Sequence, residues 1–227
     1  LRAMNGRVKP YAVPYWCIGN ENYGSYGVHR GETASEYSSR LNRWARTIKT
    51  SYPNVSLLGI GPLYEWNDTV LKQNGQLVDY LTLHYYLSSR VKNGRLIDEA
   101  TTLFAPAKVE ANIERSIPQL EKANIASGRL ANPVRYRVDE WNSRHSVFDG
   151  KDWNFTRKDP RRQFDVATIA GMLNVFIRQS HVVGMANYIF PVNGHGLVKT
   201  VGDKDAFRTP AYYVFDLYRH LMKGDAI

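Results

Sequence analysis

The stretch VDYLTLHY, residues 78–85, is an apolar and aromatic run that ends on polar side chains. Short apolar runs bounded by turn-forming or polar residues are typical of buried strands. Similar runs occur at 13–19, 55–60, 136–140 and 183–190. The sequence therefore predicts a strand in each of these five segments.

Helical patterns lie between the predicted strands. A helix is expected from Thr33 to about Ser51, because Thr33 and Glu36 form a capping box. Pro118 is expected to kink the helix that contains it, since proline removes a backbone hydrogen bond. The other predicted helices cover residues 70–74, 109–120, 160–179 with Pro160 in the first turn, and 209–221 with Pro210 at the start.

Alternating strands and helices predict parallel strands in an α/β fold. The long segments 87–106, 142–157 and 191–208 are predicted to be loops. Two architectures fit, an open doubly wound sheet and a (β/α)8 barrel, and no G-x-G-x-x-G loop supports the first. Polar residues at several strand ends favour the barrel. These are Asn20, Glu21, His84, Tyr85, Asp139, Glu140 and Asn187.

Charge and hydropathy indicate which kinds of partner to expect. The chain has 227 residues, 43% of them hydrophobic, and a net charge of +9. Its basic residues are scattered, and the densest group is Arg157, Lys158, Arg161 and Arg162. We interpret this charge as a solvated surface and expect no nucleic-acid partner, because no basic and aromatic stripe is evident. No apolar run reaches the ~18–20 residues of a membrane helix, so no membrane partner is expected either.

The single cysteine, Cys17, excludes an intrachain disulfide. Its apolar neighbours predict that it is a small buried residue. The compartment, cytoplasmic or secreted, stays open.

Two carboxylates carry the chemical hypothesis. Glu21 follows a predicted strand and lies between two Asn residues, whereas Glu140 ends a predicted strand two residues before Asn142, and each is close to a Trp. Glycoside hydrolysis needs such a pair, one to protonate the leaving oxygen and one to attack the anomeric carbon or activate water. A strand-end carboxylate on its own is more often a helix cap or a surface ion pair.

Neighbouring residues fit a sugar site. Asn20 is expected to donate to a sugar hydroxyl. Tyr85 or Tyr86 is expected to donate to Glu140 and keep it ionised. His84 is read equally well as a carboxylate partner or as a satisfied buried histidine. Trp16 and Trp141 are either sugar platforms or core residues, and Trp141 and Asn187 complete the predicted substrate-binding set.

Other kinds of site find little support. The six histidines show no metal-ligand spacing, and no Gly-x-Ser-x-Gly nucleophile elbow occurs. His195, in a Gly-rich loop after the last strand, either borders the site or lies on a plain surface loop.

Four motifs in order resemble a known family. YWCIGNENYG (15–24) is similar to the acid/base strand of the retaining (β/α)8 glycosidases with an Asn-Glu pair, and VDEWN (138–142) to the nucleophile strand of the α-L-arabinofuranosidases of glycoside hydrolase family 51. LTLHYY (81–86) and VGMANYIFPVNG (183–194) resemble that family's sixth and eighth strands. The segment TPAYYVFDLYRHL (209–221) resembles its last barrel helix, so the likeness covers nearly the whole chain.

The resemblance implies roles for these residues. Glu21 would be the general acid/base, Glu140 the nucleophile, and Asn20 a sugar ligand beside the acid/base. Tyr86 or Tyr85 would contact the nucleophile. The expected substrate is an arabinose-containing oligo- or polysaccharide, with no metal and no other cofactor.

Two positions depart from the family pattern. Arg144 stands near the place of a pocket tryptophan, and Phe190 stands near the place of a glutamine. Both departures leave the sugar preference open, so a retaining β-glucanase or β-xylosidase type is the alternative activity. A non-catalytic carbohydrate-binding barrel fragment and a nucleotide-binding α/β domain are alternatives of other classes.

The resemblance also predicts how much of a barrel the chain encodes. Residues 1–227 would form the C-terminal part of a (β/α)8 catalytic barrel, about its last five β/α units, without the first three strands and the accompanying β-sandwich. Five strands cannot close a barrel. We therefore expect a fragment of a longer product, or completion by another chain segment or by homo-oligomer formation.

Overall fold

Strands and helices alternate along the chain, which confirms the predicted α/β class. The chain divides into two compact units, Leu1–Thr82 with Gln119–Arg135 and Leu83–Pro118 with Tyr136–Ile227. The structure is a computed structural model that describes residues 1–24, 31–62, 64–157, 161–222 and 224.

The first unit contains three parallel strand segments. Strand β1 (Tyr15–Cys17) pairs with β2 (Ser56–Ile60), and β2 pairs with the first residues of β3 (Tyr80–Lys92). Helices α1 (Ala34–Ser51) and α2 (Glu65–Asn74) connect them. Parallel neighbours with helical crossovers are the arrangement that the sequence pattern predicted.

The capping box at the start of α1 is confirmed. Thr33 Oγ1 accepts from the backbone N–H of Glu36 at 3.2 Å, and Glu36 Oε2 accepts from the backbone N–H of Thr33 at 2.9 Å. These bonds satisfy donors that a helix start leaves unpaired. The helix then buries Tyr37, Leu41 and Ala45.

The second unit contains the rest of β3 and two further parallel-paired strands. Strand β5 (Arg135–Phe148) follows β3 in the strand order and pairs in parallel with β7 (Val183–Tyr188). The helices of this unit are α3 (Glu99–Leu103), the part of α4 (Ala105–Ala126) up to Pro118, α5 (Gln163–Arg178) and α6 (Pro210–Leu221).

All three predicted long loops contain antiparallel strands, so that prediction was wrong. Strand β3 runs on to Lys92 and pairs with β4 (Arg95–Leu96). Strand β5 runs on to Phe148 and pairs with β6 (Trp153–Thr156). The third pair is β8 (Val198–Val201) with β9 (Asp205–Arg208). Gly94, Gly150 and Gly202 have positive φ in the three turns, a conformation that glycine adopts without steric cost.

Smaller differences concern the helices and the cysteine. Helix α4 includes Pro118 in its interior, so the proline does not end it. Helix α5 begins at Gln163, and Pro160, its predicted start, lies outside the described residues. Cys17 is exposed rather than buried, because no residue of β1 is covered in the described structure.

None of the helices in the described part of the chain combines the length and the apolar character that crossing a membrane requires.

Candidate active site

The end of strand β3 directs successive tyrosines to different surroundings. The hydroxyl of Tyr85 donates to Oδ1 of Asn112 on α4 at 2.9 Å. The hydroxyl of Tyr86 donates to Oε2 of Glu140 on β5 at 2.6 Å. Neighbouring residues of a strand point to opposite faces, so only one of the two tyrosines can reach Glu140. The structure assigns that contact to Tyr86.

His84 lies on the same face of β3 as Tyr86. Its Nδ1 is 3.7 Å from Oε2 of Glu140, and its Nε2 is 3.2 Å from Oδ1 of Asp139. The imidazole is 8% exposed. Contacts with two carboxylates in a nearly buried position fit both readings of His84, so its role stays a prediction.

A β-bulge in β5 explains how two consecutive carboxylates reach one histidine. Val138 pairs with Ala186 of β7, and Trp141 pairs with Tyr188. Three steps along β5 thus match two steps along β7, which leaves one extra residue at Asp139–Glu140. A bulge of this kind re-aims side chains and is frequent beside active sites.

Trp141 lies in the core, which corrects the prediction that it binds substrate. The indole is 1% exposed. It packs against Phe176, Tyr188 and Phe215 with ring centres 5.0–5.9 Å apart. A ring enclosed by three others has no face left for a sugar, and its packing instead holds β5 behind the bulge.

Asn187 lies on β7, half-buried. Its Oδ1 accepts from Nε of Arg137 at 3.1 Å. This bond fixes the amide orientation. A contact between Asn187 and a sugar remains a prediction.

A buried polar network supports the residues that follow Glu140 on β5. The guanidinium of Arg161 donates to Asn142 Oδ1, to Ser143, to the Tyr188 hydroxyl at 2.8 Å and to the His195 carbonyl at 2.6 Å. It also lies 3.4 Å from Asp165 Oδ1. The Arg161 side chain is 2% exposed and that of Asp165 is fully buried.

His195 belongs to this network, so it does not lie on a plain surface loop, and the reading that it borders the site stays a prediction. It is 2% exposed, and its ring centre lies 4.9 Å from that of His145. His145 Nε2 in turn lies 3.0 Å from Asp165 Oδ1. Buried hydrogen bonds therefore hold the Gly-rich loop after β7 against β5.

Electrostatics in the network favour an ionised Asp165. Burial by itself raises the pKa of this carboxyl, but the hydrogen bond and charge of His145, the charge of Arg161 and the backbone N–H of Arg162 outweigh it, and the pKa is lowered. Burial also raises the pKa of Tyr188 to about 12, so its hydroxyl keeps its proton.

Glu21 lies in the first unit, in the turn that follows β1. It is half-buried, and its φ of 46° is in the left-handed region, which residues other than glycine seldom adopt. Strained residues of this kind cluster at active sites and persist only where their surroundings hold them.

Asn22 holds the Glu21 turn in place, a role that the sequence did not reveal. It is 3% exposed, and its Oδ1 accepts from the backbone N–H of Asn20 at 3.0 Å. Its Nδ2 donates to Oε2 of Glu32 at 3.0 Å, and Glu32 pairs with Arg40 on α1. Asn20, the predicted sugar ligand, is exposed.

Gly19 is expected to be required for this turn. It has a φ of 102°, and a Cβ atom there would lie 2.5 Å from Asn22 Oδ1 and 2.9 Å from Ile60 Cδ1. Gly19→Ala should destabilise the protein by roughly 2–5 kcal/mol, about 1–2 from the backbone and about 1–3 from overpacking.

Gly94→Ala is the matched control, because Gly94 has a φ of 72° and open space around its Cβ position. Denaturant unfolding of both variants separates the backbone cost from the packing cost. If Gly19→Ala and Gly94→Ala were destabilised equally, the close contact with Asn22 would contribute nothing to the cost.

His84, Asp139 and Glu140 are also residue types that bind metal ions. The expectation of a metal-free site therefore remains a prediction.

Fold and local chemistry together define the class. The chain is a parallel-stranded α/β protein with a carboxylate, a tyrosine and a histidine gathered where its strands end. Catalytic residues at the carboxyl ends of parallel strands are the arrangement of (β/α)8 enzymes.

Comparisons with known proteins identify the family. Residues 1–102 match the α-L-arabinofuranosidase 1 domain and residues 139–227 match the α-L-arabinofuranosidase C-terminal domain. The chain belongs to the α-L-arabinofuranosidases of glycoside hydrolase family 51.

Individual relatives agree with this assignment. The probable α-L-arabinofuranosidase C of Aspergillus niger is 28% identical to this chain, and the match covers 99% of this chain and 45% of that protein. An α-L-arabinofuranosidase from Thermotoga maritima, solved as an arabinose complex, is 26% identical with a TM-score of 0.72, covering 95% of this chain and 42% of that one.

The family 51 arabinofuranosidase of Xanthomonas axonopodis pv. citri shares the fold, with a TM-score of 0.79 at 23% identity over 96% of this chain and 45% of that one. The chain thus spans less than half the length of the relatives it matches.

Proposed function

We propose that the protein carrying this chain is a retaining, exo-acting α-L-arabinofuranosidase. The observation that carries the proposal is the hydrogen bond from Tyr86 to Glu140 at a β-bulge, with His84 alongside. A tyrosine that donates to one carboxylate oxygen leaves the other oxygen available to attack. Family membership supplies the sugar class.

The reaction proceeds by double displacement. A Glu140 oxygen bonds to the anomeric carbon while the bond from that carbon to the leaving oxygen breaks and Glu21 gives this oxygen its proton. Glu21 then takes a proton from water, the water oxygen attacks the same carbon, and Glu140 is released. Two inversions give net retention.

This mechanism places geometric demands on the two glutamates. Their carboxyl groups must lie about 5–5.5 Å apart, because the nucleophile and the acid act on one glycosidic bond without a water between them. The enzyme would then be built on a (β/α)8 barrel, with both glutamates at the carboxyl ends of its strands. Asn20 would donate to a hydroxyl of the bound arabinofuranosyl group.

Activity and stereochemistry test the proposal together. The protein, expressed from its complete gene, should release p-nitrophenol from the α-L-arabinofuranoside faster than from the β-xyloside or β-glucoside. Proton NMR should detect α-arabinofuranose as the first product. Initial formation of the β anomer would rule out retention, and a preference for the xyloside or glucoside would rule out the sugar assignment.

Tyr86→Phe is expected to lower kcat/KM by about 10- to 100-fold, since hydrogen bonds to charged groups contribute about 1.5–3 kcal/mol. Tyr85→Phe is the matched control, because its hydroxyl bonds to Asn112 instead of to a carboxylate. Steady-state kinetics should show a much smaller change for that variant. Equal losses in both variants would contradict a special role for Tyr86.

A further inference from the structure

Arg144 and Phe190 belong to one continuous stack of side chains. The guanidinium carbon of Arg144 lies 5.2 Å from the ring centre of Tyr86 and 5.3 Å from that of Phe155. The guanidinium carbon of Arg157 lies 4.8 Å from the ring centre of Phe155 and 4.7 Å from that of Phe190. All four distances are in the range of cation–π contacts. We call these five residues the arginine–aromatic stack.

The stack begins at the candidate nucleophile. The hydroxyl of Tyr86, the first ring of the stack, donates a hydrogen bond to Glu140. The Tyr86 ring therefore lies between Arg144 and that carboxylate. Arg157 and Phe155 are exposed, while Arg144 and Phe190 are half-buried. The stack therefore leads from the carboxylate of Glu140 to side chains that solvent reaches.

Among the described residues, the charges of the two arginines in the stack have no counterion. In the described parts of the chain, no carboxylate forms an ion pair with Arg144 or Arg157. Arg144 uses its Nε–H to bond Ser88 Oγ at 2.9 Å, which leaves its terminal N–H groups for a ligand. The contrast is Arg90, which stacks on Trp153 and pairs with Asp98 at 3.2 Å.

This combination of groups selects for one ligand chemistry. Ring-stacked guanidinium groups present their N–H edges outward, and those edges bind a carboxylate through two parallel hydrogen bonds. The exposed face of Phe155 adds an apolar surface on which a sugar ring can pack. A neutral arabinan or xylan would leave both positive charges without a partner.

We propose that the arginine–aromatic stack is a subsite for a uronic acid residue in the saccharide from which the arabinofuranosyl group is removed. This inference rests on the proposed function, because it assumes that the cleaved sugar lies at Glu140. The substrate class is then an arabinose-substituted acidic saccharide, with its carboxylate held between Arg144 and Arg157.

A pair of substrates that differ only in charge tests this subsite. One is an arabinofuranosyl oligosaccharide that contains a uronic acid, and the other is its methyl ester. The protein expressed from its complete gene should cleave the acid with a kcat/KM about 10-fold higher, and this ratio should fall as salt is added. In Arg144→Gln and in Arg157→Gln the ratio should approach one, whatever the absolute rates.

Arg90→Gln is the control variant and should keep the ratio of the unmodified protein, because the charge of Arg90 is already paired. An acid-to-ester ratio near one in the unmodified protein would overturn the proposal, and so would a ratio that persists when both arginines are replaced together.

Calorimetric titration separates this proposal from the proposed function. A uronate trisaccharide should bind more tightly than its methyl ester, and Arg144→Gln should remove the difference even if no arabinofuranoside is cleaved. Cleavage of p-nitrophenyl arabinofuranoside without this difference in binding would refute the subsite alone.

Discussion

Replacing Glu140 by alanine is expected to lower the rate of arabinofuranoside cleavage by roughly 10³-fold or more, because the proposed covalent step would lose its nucleophile. Steady-state release of p-nitrophenol measures the loss. Asp139→Asn removes the adjacent carboxylate, which lies 3.2 Å from His84 Nε2, and should cost less. Equal losses would mean that the bulge presents two interchangeable carboxylates.

Azide separates the two proposed glutamate roles. In Glu140→Ala, azide can enter the vacated space, bond to the anomeric carbon and displace the aryl oxygen, which gives a glycosyl azide of inverted configuration. In Glu21→Ala, azide should instead attack the glycosyl-enzyme from the opposite face and give the retained product. If Glu140→Ala gave the retained azide and Glu21→Ala the inverted one, Glu21 would be the nucleophile and Glu140 the acid/base.

Arg161→Met is expected to have the largest effect on stability. It would leave the fully buried Asp165 without its guanidinium partner, and breaking a buried ion pair costs about 3–5 kcal/mol. The midpoint temperature of thermal unfolding should fall by roughly 6–20 °C, because Tm changes by about 2–4 °C per kcal/mol for a chain of this size.

Arg178→Met is the control for that prediction. Arg178 pairs with Glu110 at 2.6 Å, but its side chain is 56% exposed, and exposed ion pairs contribute about 0.2–1 kcal/mol. If Arg161→Met unfolds at the same temperature as this control, the network does not stabilise the fold.

The same network should make stability depend on pH in a defined direction. The pKa of Asp165 is lower in the folded chain than its ordinary value of about 3.9. The ionised carboxylate therefore stabilises the fold above about pH 4, and this contribution is lost as the pH falls through the folded pKa. In Asp165→Asn the free energy of unfolding should depend less on pH in the acid range. An unchanged pH dependence would contradict a lowered pKa for Asp165 in the folded chain.

Local patterns predicted the elements that build the sheet. The apolar runs predicted the five parallel-paired strands β1, β2, β3, β5 and β7, and the Thr33–Glu36 capping box placed the start of α1 correctly. These signals depend on residues close in sequence, where side-chain periodicity and backbone bonding agree.

The hairpins were missed although a signal was present. Val147 and Phe148 lead into Asp149 and Gly150, and β6 follows at Trp153. Asp149 Oδ1 accepts from the backbone N–H groups of Lys151 and Asp152, the bonding that makes Asp a turn residue. Turn residues between two aromatic runs indicate a hairpin, and the polar composition of the segment obscured it.

The finer parts of the site depended on contacts that sequence spacing does not give. The choice between Tyr85 and Tyr86 required the register of β3 against β5, and the positions of Asp139 and Glu140 required a bulge that no residue pattern marks. The arginine–aromatic stack joins four separate strand or loop segments, so no basic and aromatic stripe could be recognised along the chain.

Trapping the covalent intermediate tests the central claim most directly. Glu21→Ala, mixed with p-nitrophenyl α-L-arabinofuranoside and quenched rapidly in acid, should accumulate protein that has gained one anhydropentosyl unit. Mass spectrometry of the digested protein should place that unit on Glu140, within VDEWN (138–142). A label on any other residue, or unlabelled protein that forms product of inverted configuration, would contradict the assignment of Glu140 as the nucleophile.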